Sequence, residues 1–128
     1  MDYEALIAKA MEAREKAHAP YSHFAVGAAL LCKSGRVYTG CNVENASYGL
    51  SVCAERVAVF KAVSEGERDF EALAVVTEKG VTPCGACRQV LMEFGENIQV
   101  IVADGVGEYR VFGLKELLPE AFSSEDLG

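Results

Sequence analysis

The chain has 128 residues, of which 19 are acidic and 12 basic, so its formal net charge is −7 at pH 7 with histidine neutral. This length fits one domain with an adequate core, and residues 1–128 are expected to form a single domain that needs no metal to fold. The acidic balance argues against a nucleic-acid partner, and no apolar run reaches the roughly 18 residues that span a membrane.

The first third of the chain predicts a helix and an antiparallel hairpin. Apolar side chains recur at helical spacing near the start: Tyr3, Leu6, Ile7, Ala10 and Met11. Asp2 can cap this helix and Pro20 lies beyond its end. Because the segment is acidic at its start and amphipathic, it does not resemble a signal peptide, and a cytoplasmic location is expected. Residues 24–32 and 37–45 are predicted strands, and the short KSGR turn between them makes the pair antiparallel.

Two units of helix and strand follow the hairpin. Residues 53–63 are rich in helix formers and apolar on most sides, as expected for a buried helix. Residues 70–77 are too apolar to alternate, which is typical of a strand covered on both faces. Thr82 is predicted to cap the next helix, with Pro83 at its first position and Gly95 after its end.

A strand pair and the short helix LKELLP are predicted to end the chain. Residues 98–103 form the fourth strand, and the tight DGVG turn makes the fifth strand, residues 109–112, antiparallel to it. Because helices separate the second, third and fourth strands, those strands are expected to run parallel under two crossover connections. The predicted fold is therefore α/β, a three-layer α/β/α sandwich with a mixed five-stranded sheet.

Three of the five cysteines are expected to converge. In a cytoplasmic chain, cysteines favour metal ligands and core thiols over disulfides. Cys84 and Cys87 are three positions apart at the start of a helix, so their sulfurs share one face. Cys53 starts the preceding helix, and both helices begin at the carboxyl ends of parallel strands, where open sheets build their sites. Since helix N-termini favour thiolate over thiol, the sequence predicts one zinc ion held by Cys53, Cys84 and Cys87.

A fourth protein ligand is hard to find in the sequence. His18 and His23 precede the first strand. Cys32 falls at the far end of that strand and Cys41 within the second, where both are predicted to be small buried hydrophobes. Three ligands with one open position are the layout of a catalytic zinc, at which a bound water becomes more acidic. Glu55, in the same helical turn as Cys53, can take a proton from that water and pass it on.

Long segments of the chain resemble cytidine deaminases of the homotetrameric class: YSHFAVGAAL, GCNVENASYGLSVCAERVAVFKAVSEG, PCGACRQVLMEF and ELLPEAF. Within them, CAE and PCGAC match the zinc deaminase signature. The resemblance covers nearly the whole chain. It implies a hydrolase that converts cytidine and deoxycytidine to uridine and deoxyuridine with release of ammonia, as in pyrimidine salvage. It also implies one zinc per chain and a homotetramer whose sites are completed by neighbouring subunits.

The resemblance assigns roles around the metal. It implies zinc ligation by Cys53, Cys84 and Cys87. Glu55 matches the proton shuttle of the family. Arg56 matches an arginine that hydrogen-bonds the thiolates, which offsets the net negative charge of three thiolates and one Zn²⁺. Arg88, next to Cys87, is either a second such donor or a surface or interface residue.

The resemblance also assigns roles around the substrate. Asn42 and Glu44 match the pair that hydrogen-bonds the ribose hydroxyls. Phe24 matches the aromatic residue that packs on the pyrimidine. The backbone of Ala54 and the carboxylate of Glu55 are expected to contact the edge of the base.

Other interpretations stay open at the level of sequence. Tyr48 and Phe122 match positions that approach a neighbouring subunit's pocket, but they are also compatible with ordinary packing and with a monomer whose tail covers its own pocket. A structural zinc site or a non-enzymatic zinc module would have no use for Glu55. The other alternative is a related deaminase that acts on a nucleoside-like antibiotic or on a base within nucleic acid. The acidic charge argues against nucleic acid, and the NVENASY segment favours a free nucleoside. The preference between cytidine and deoxycytidine is not determined.

Overall fold

The computed structural model describes residues 2–128, which form a mixed sheet of five strands with helices on both faces. The strands are β1 (Gly27–Cys32), β2 (Val37–Cys41), β3 (Phe70–Val76), β4 (Gln99–Ala103) and β5 (Tyr109–Gly113). The helices are α1 (Tyr3–Arg14), α2 (Ala54–Ser64), α3 (Gly85–Met92) and α4 (Leu114–Leu117), with short 3-10 turns at Tyr48–Leu50 and Ser124–Leu127. No helix in the described part of the chain is long and apolar enough to cross a membrane.

The strand order is β2-β1-β3-β4-β5. β1 pairs antiparallel with both β2 and β3, β3 pairs parallel with β4, and β4 pairs antiparallel with β5. β2, β3 and β4 therefore point the same way, as predicted, although β1 lies between β2 and β3. The connection through α2 crosses over β1, and both α2 and α3 begin at the same carboxyl edge of the sheet.

Helices cover both faces of the sheet, which confirms the predicted three layers. α1 packs Leu6, Ile7 and Ala10 against one face, whose side chains are mostly alanines. The other face carries larger side chains, among them Leu30 and Leu73, and is covered by α2, α3 and α4. Burial of these apolar side chains on two faces supplies the main driving force for this layered arrangement.

Two glycines set how closely the helices approach the β1–β2 hairpin. A Cβ atom at Gly27 would lie 2.0 Å from the carbonyl oxygen of Ala10, and one at Gly40 would lie 2.5 Å from that of Ala54. Neither separation is possible for real atoms, so only glycine permits these contacts. Gly40 thereby brings the first turn of α2, which carries Glu55, directly against β2.

Of the two predicted N-terminal helix caps, that of α1 is confirmed and that of α3 is wrong. Asp2 caps α1 as predicted, its carboxylate accepting a hydrogen bond from a backbone N–H of the first turn at 3.0 Å. The predicted Thr82 cap of α3 is wrong, because the helix begins at Gly85 and its N-cap is Cys84. The Thr82 hydroxyl instead accepts a hydrogen bond from Nη2 of Arg88 at 2.8 Å, so it is engaged by a side chain rather than by the helix end.

Candidate functional site

Three cysteine sulfurs meet at the carboxyl edge of the sheet. Cys53 is the N-cap of α2, Cys84 is the N-cap of α3, and Cys87 lies in the first turn of α3. The three sulfurs lie within 4.8 Å of one another, with Cys84 and Cys87 3.5 Å apart and Cys53 and Cys84 3.9 Å apart. Tetrahedral zinc with Zn–S bonds of about 2.3 Å places its sulfur ligands about 3.8 Å apart. The donor set and its spacing therefore fit one zinc ion held by three thiolates.

The thiol groups of Cys53 and Cys87 differ in how readily they lose a proton. The pKa of the Cys53 thiol is lowered to about 5, chiefly because the Cys87 thiol donates to its sulfur and also because Nη2 of Arg56 does so at 3.3 Å. The pKa of Cys87 is raised, since the Cys53 sulfur holds its proton and the residue is buried. A thiolate is thus favoured in the cluster before any metal binds, which reduces the protons that metal binding must release.

The two arginines near the cysteines differ in what they contact. Arg56 donates to the Cys53 sulfur, and this contact raises the pKa of the guanidinium. Its Nε is buried and has no partner within residues 2–128. Arg88 instead directs its guanidinium to oxygen atoms of three other residues: Thr82, Pro83 and Leu117. Arg88 therefore donates to oxygen atoms of its own chain and not to the cysteine sulfurs.

Glu55 is a buried carboxyl group beside the cysteine cluster. It is the second residue of α2, and only 5% of its surface is exposed. Burial raises the pKa of its carboxyl group, because the charged form loses its hydration. Glu55 nevertheless lines the cavity that opens above Cys53 and Cys84. A carboxyl group with a raised pKa at the floor of a cavity is suited to both accepting and donating a proton.

The cavity above the cysteines has a volume of about 660 Å³ and contains most of the residues singled out in the sequence. The predicted residues that line it are Phe24, Asn42, Glu44, Tyr48, Cys53, Glu55, Arg56 and Cys84. Its other walls come from residues that the sequence did not single out for function, including Ser22, Ser51, Val81 and Thr82. A volume of this size accommodates a small organic ligand.

Asn42 joins two segments of the cavity wall. It lies just beyond the end of β2, although the predicted second strand extended to residue 45. Its Oδ1 accepts from the backbone N–H of Val26 at 2.9 Å, and its Nδ2 donates to the carbonyl oxygen of Phe24 at 2.7 Å. One N–H and one lone pair of the amide remain available to a ligand. Asn42 therefore holds Phe24 in place and retains hydrogen-bonding capacity towards the cavity.

Glu44 holds the loop that precedes β1. One of its carboxylate oxygens accepts from the backbone N–H groups of Tyr21 and Ser22 at 3.1 Å each, and the other accepts from the Ser22 hydroxyl. These hydrogen bonds, with that of the Ser22 hydroxyl first, lower the pKa of Glu44. Ser22 also accepts from the backbone N–H of Phe24 at 3.0 Å, and between them His23 adopts a positive φ of 57°. Sequence reasoning missed Ser22, whose position two residues before Phe24 was the available signal.

The structure separates the remaining predicted substrate residues. Tyr48 lines the cavity, stacks edge-on against Tyr21 and is 72% exposed. Ala54 is fully buried at the first position of α2. Phe122 lies elsewhere, in a depression next to Met92, and its carbonyl oxygen accepts from Nε2 of Gln89 at 2.8 Å. Phe122 is therefore not brought to the cavity of its own chain, which argues against the tail covering its own pocket.

The two other cysteines lie apart from the cluster. Cys32 is buried in the core at the end of β1, and its pKa is raised to about 11, chiefly by that burial. Cys41 is half-buried and donates its thiol to the carbonyl oxygen of Lys16 at 3.4 Å. Neither belongs to the group of side chains whose ligand atoms converge.

Comparison with known proteins finds relatives that match this chain over nearly its whole length. Residues 1–103 match the family model described as the cytidine and deoxycytidylate deaminase zinc-binding region. The chain is 54% identical to a cytidine deaminase of Sporosarcina psychrophila, over 99% of this chain and 96% of the relative. It is 53% identical to one of Halalkalibacterium halodurans, over 99% and 98%. The crystal structure of a cytidine deaminase from Burkholderia pseudomallei is 53% identical and superposes with a TM-score of 0.92, covering 95% of this chain and all of the other.

Proposed function

The chain belongs to the cytidine and deoxycytidylate deaminase family, and on that premise we propose that it deaminates cytidine and deoxycytidine by zinc-dependent hydrolysis. The products are uridine or deoxyuridine and ammonia, as in pyrimidine salvage. The observation that carries the proposal is a buried Glu55 at the floor of a cavity formed above three converging cysteine sulfurs. A structural zinc site needs no proton carrier of this kind, which favours catalysis over a binding module.

Cys53, Cys84 and Cys87 hold one zinc ion in this proposal. Bound there, zinc would supply Lewis-acid activation of a water molecule. Arg56 donates to the Cys53 sulfur and so withdraws negative charge from the ligand set. The positive ends of α2 and α3 point at the same sulfurs and act in the same direction.

Glu55 moves the protons of the reaction. It accepts a proton from the attacking water and delivers it to N3 of the ring as the water oxygen bonds to C4. It then carries the second water proton to the amino group, which leaves C4 as ammonia. Burial raises the pKa of Glu55 and so favours its protonated form, which is the form that donates a proton to N3 and to the amino group.

The remaining cavity residues orient the nucleoside. Phe24 is 45% exposed towards the cavity and offers an apolar face to the pyrimidine. Asn42 retains one donor and one acceptor, and the Glu44 carboxylate retains a lone pair beyond its three hydrogen bonds; these groups contact the sugar hydroxyls. The Glu55 carboxylate contacts the edge of the base; the backbone of Ala54, which was expected to do the same, is fully buried and does not line the cavity.

The proposal includes a homotetramer whose active sites are completed by neighbouring subunits. Support comes from large apolar side chains that line the cavity and are left exposed, among them Tyr48 and Val81. Phe122 is also exposed and lies away from its own cavity, so a second chain is the partner that it is free to reach. The cytoplasm is the proposed location, since none of the five cysteines forms a disulfide and reduced cysteines suit a reducing compartment.

The direct test is an assay of the purified protein with cytidine. We expect the absorbance of cytidine to fall as one equivalent of ammonia forms, and expect both to require zinc. Deoxycytidine run in parallel measures the preference between the two nucleosides. Zinc-loaded protein that releases no ammonia from either nucleoside would refute the proposed activity.

A further inference from the structure

Arg88 connects three segments of the chain through one guanidinium group. It follows Cys87 in α3 and is only partly exposed. Its Nε donates to the carbonyl oxygen of Pro83 at 2.7 Å, and its Nη2 donates to the Thr82 hydroxyl at 2.8 Å. Its Nη1 donates to the carbonyl oxygen of Leu117, at the end of α4, at 2.6 Å. All three nitrogens of the guanidinium group therefore have partners, each at a short distance.

Two of these contacts are made to the residues directly before Cys84, which is the most exposed cysteine of the cluster. Cys84 is exposed, whereas Cys87 is buried, and no side-chain hydrogen bond caps α3 at this residue. The Pro83 carbonyl that Arg88 engages belongs to the peptide group leading into Cys84. The backbone N–H of Arg88 also donates to the Cys84 carbonyl oxygen at 3.0 Å. Arg88 thus restrains the peptide groups on both sides of Cys84.

The contact with Leu117 gives this restraint a fixed base. Carbonyl groups in the last turn of a helix lack partners within the helix, and a cationic side chain is a favourable donor to them. The hydrogen bond to Leu117 ties the segment before α3 to α4, whose Leu114 is fully buried in the core. The orientation of Cys84 is therefore fixed through Arg88 and α4 to the core of the protein.

We propose that Arg88 is a positioning residue that fixes the Cys84 sulfur for metal binding, so that retention of zinc depends on its three-pronged hydrogen bonding. This inference rests on the proposed metal centre and is independent of which substrate the protein uses. Lysine would keep the charge but offers one nitrogen in place of a planar group of three, so it cannot join the same three acceptors.

Zinc release to a chelator measures this dependence directly. In zinc-loaded Arg88→Lys we expect release about tenfold faster than in the parent or more, because groups that orient metal ligands typically contribute about 10–100-fold to metal affinity. Gln89→Ala is the matched control on the same helix, since Gln89 binds the tail at Phe122. Arg14→Lys is the second control. Arg14 is the last residue of α1, on the opposite face of the sheet, and its Nε donates to the backbone carbonyl of Ala25. Both controls should release zinc within about twofold of the parent, because neither contacts the ligand segment.

Substitution of cobalt for zinc separates positioning from a general loss of stability. The absorption bands of cobalt bound to thiolates depend on the geometry of the sulfurs. We expect these bands to shift in folded Arg88→Lys and to be unchanged in both controls. An unchanged spectrum, together with zinc release within about twofold of the parent, would overturn the proposal.

Thr82→Val provides the test if Arg88→Lys does not fold. This change removes the acceptor of Nη2 and leaves the arginine and its other two contacts in place. We expect zinc release to be about threefold faster or more, with a smaller shift of the cobalt bands. Release and spectrum equal to those of the parent would refute the role of Arg88, whereas failure of the deamination assay alone would leave this result unaffected.

Discussion

The side-chain amide of Asn42 donates to the backbone carbonyl of Phe24 at 2.7 Å, so the residue proposed to bind the sugar also holds the residue proposed to pack on the base. The same amide accepts from the Val26 N–H at the point where the chain enters β1. Asn42 is 8% exposed, and water cannot readily replace these bonds. Substrate contact and support of the cavity wall are therefore coupled at one side chain.

Asn42→Ala should lower both stability and substrate affinity. Removing the amide leaves the buried Val26 N–H and the partly buried Phe24 carbonyl oxygen without partners, and we expect the free energy of unfolding to fall by about 1–3 kcal/mol. Urea denaturation measures this loss, and the KM for cytidine should rise in the same variant. Asn45→Ala is the matched control, since its side chain accepts a hydrogen bond in an exposed turn. Equal stability of the two variants would contradict the supporting role of Asn42.

Glu55→Gln should keep the fold and the zinc while losing nearly all turnover. Glutamine is close to glutamate in shape but cannot carry protons, and general acid–base catalysis contributes about 10²–10⁴-fold. We expect a loss at the upper end of this range, because one group serves both proton transfers. Steady-state kinetics and zinc analysis of the same sample provide the measurement, with the exposed Glu71→Gln as control. Activity within about tenfold of the parent would exclude Glu55 as the proton carrier.

Zinc content should be insensitive to the two cysteines outside the cluster. Cys32→Ala and Cys41→Ser are expected to retain one zinc per chain, and Cys84→Ser to lose most of it. Alkylation of the native zinc-loaded protein at pH 8 gives a second measurement. It should label Cys41 and spare Cys32, because the thiolate is the reactive form and burial raises the pKa of Cys32 to about 11. Loss of zinc from either of the first two variants would show that a fourth cysteine takes part.

Free cytosine should be a very poor substrate. The contacts proposed for Asn42 and Glu44 are made to the sugar, and binding energy from such remote groups is used to orient the reacting atoms. We expect kcat/KM for cytosine to be lower than for cytidine by orders of magnitude. Similar values for the two compounds would mean that these residues do not contact the sugar and serve only to hold the loop.

Mixed assemblies should show whether Phe122 acts in a neighbouring subunit. Glu55→Gln and Phe122→Ala are each expected to have low activity, and light scattering should give about four times the 13.7 kDa chain mass for both. After reversible dissociation and mixing, some sites combine an intact Glu55 with a neighbour's intact Phe122, and part of the activity should return. If a severe Phe122→Ala defect persists unchanged in the mixture, Phe122 acts within its own chain.

The metal site was predictable because its signals are local and the topology rule that unites them is general. Cys53 and the pair Cys84 and Cys87 each begin a helix, and parallel strands bring such helix starts to one edge. The position of β1 between β2 and β3 was not predictable, since it depends on which strand edges pair and not on the pattern within any strand. The Thr82 cap was predicted wrongly for a related reason. The Thr82 hydroxyl accepts a hydrogen bond from Arg88 and not from the end of α3, which begins at Gly85. This contact depends on the path of the chain between the two residues, which the local composition does not reveal.

The hydrogen-bond network behind the cavity wall was likewise beyond the sequence. Glu44 was singled out as a sugar-binding group, but nothing in NVENASY indicates that its carboxylate also binds Tyr21 and Ser22. Such contacts depend on the path of the loop before β1, including the left-handed backbone at His23. Loop geometry of this kind is determined by tertiary contacts and not by residue preference alone.

The close approach of α2 to Gly40 makes the metal centre sensitive to a residue outside it. A single methyl group at position 40 would meet the Ala54 carbonyl oxygen at 2.5 Å and the Ala58 nitrogen at 2.7 Å, so the helix would have to move away. Cys53 and Glu55 would travel with α2, whereas the two cysteines of α3 have no such reason to follow. The ligand set would then separate into two parts that no longer fit one ion. The position of α2 relative to the metal site therefore depends on the absence of a side chain at Gly40, in the edge strand β2.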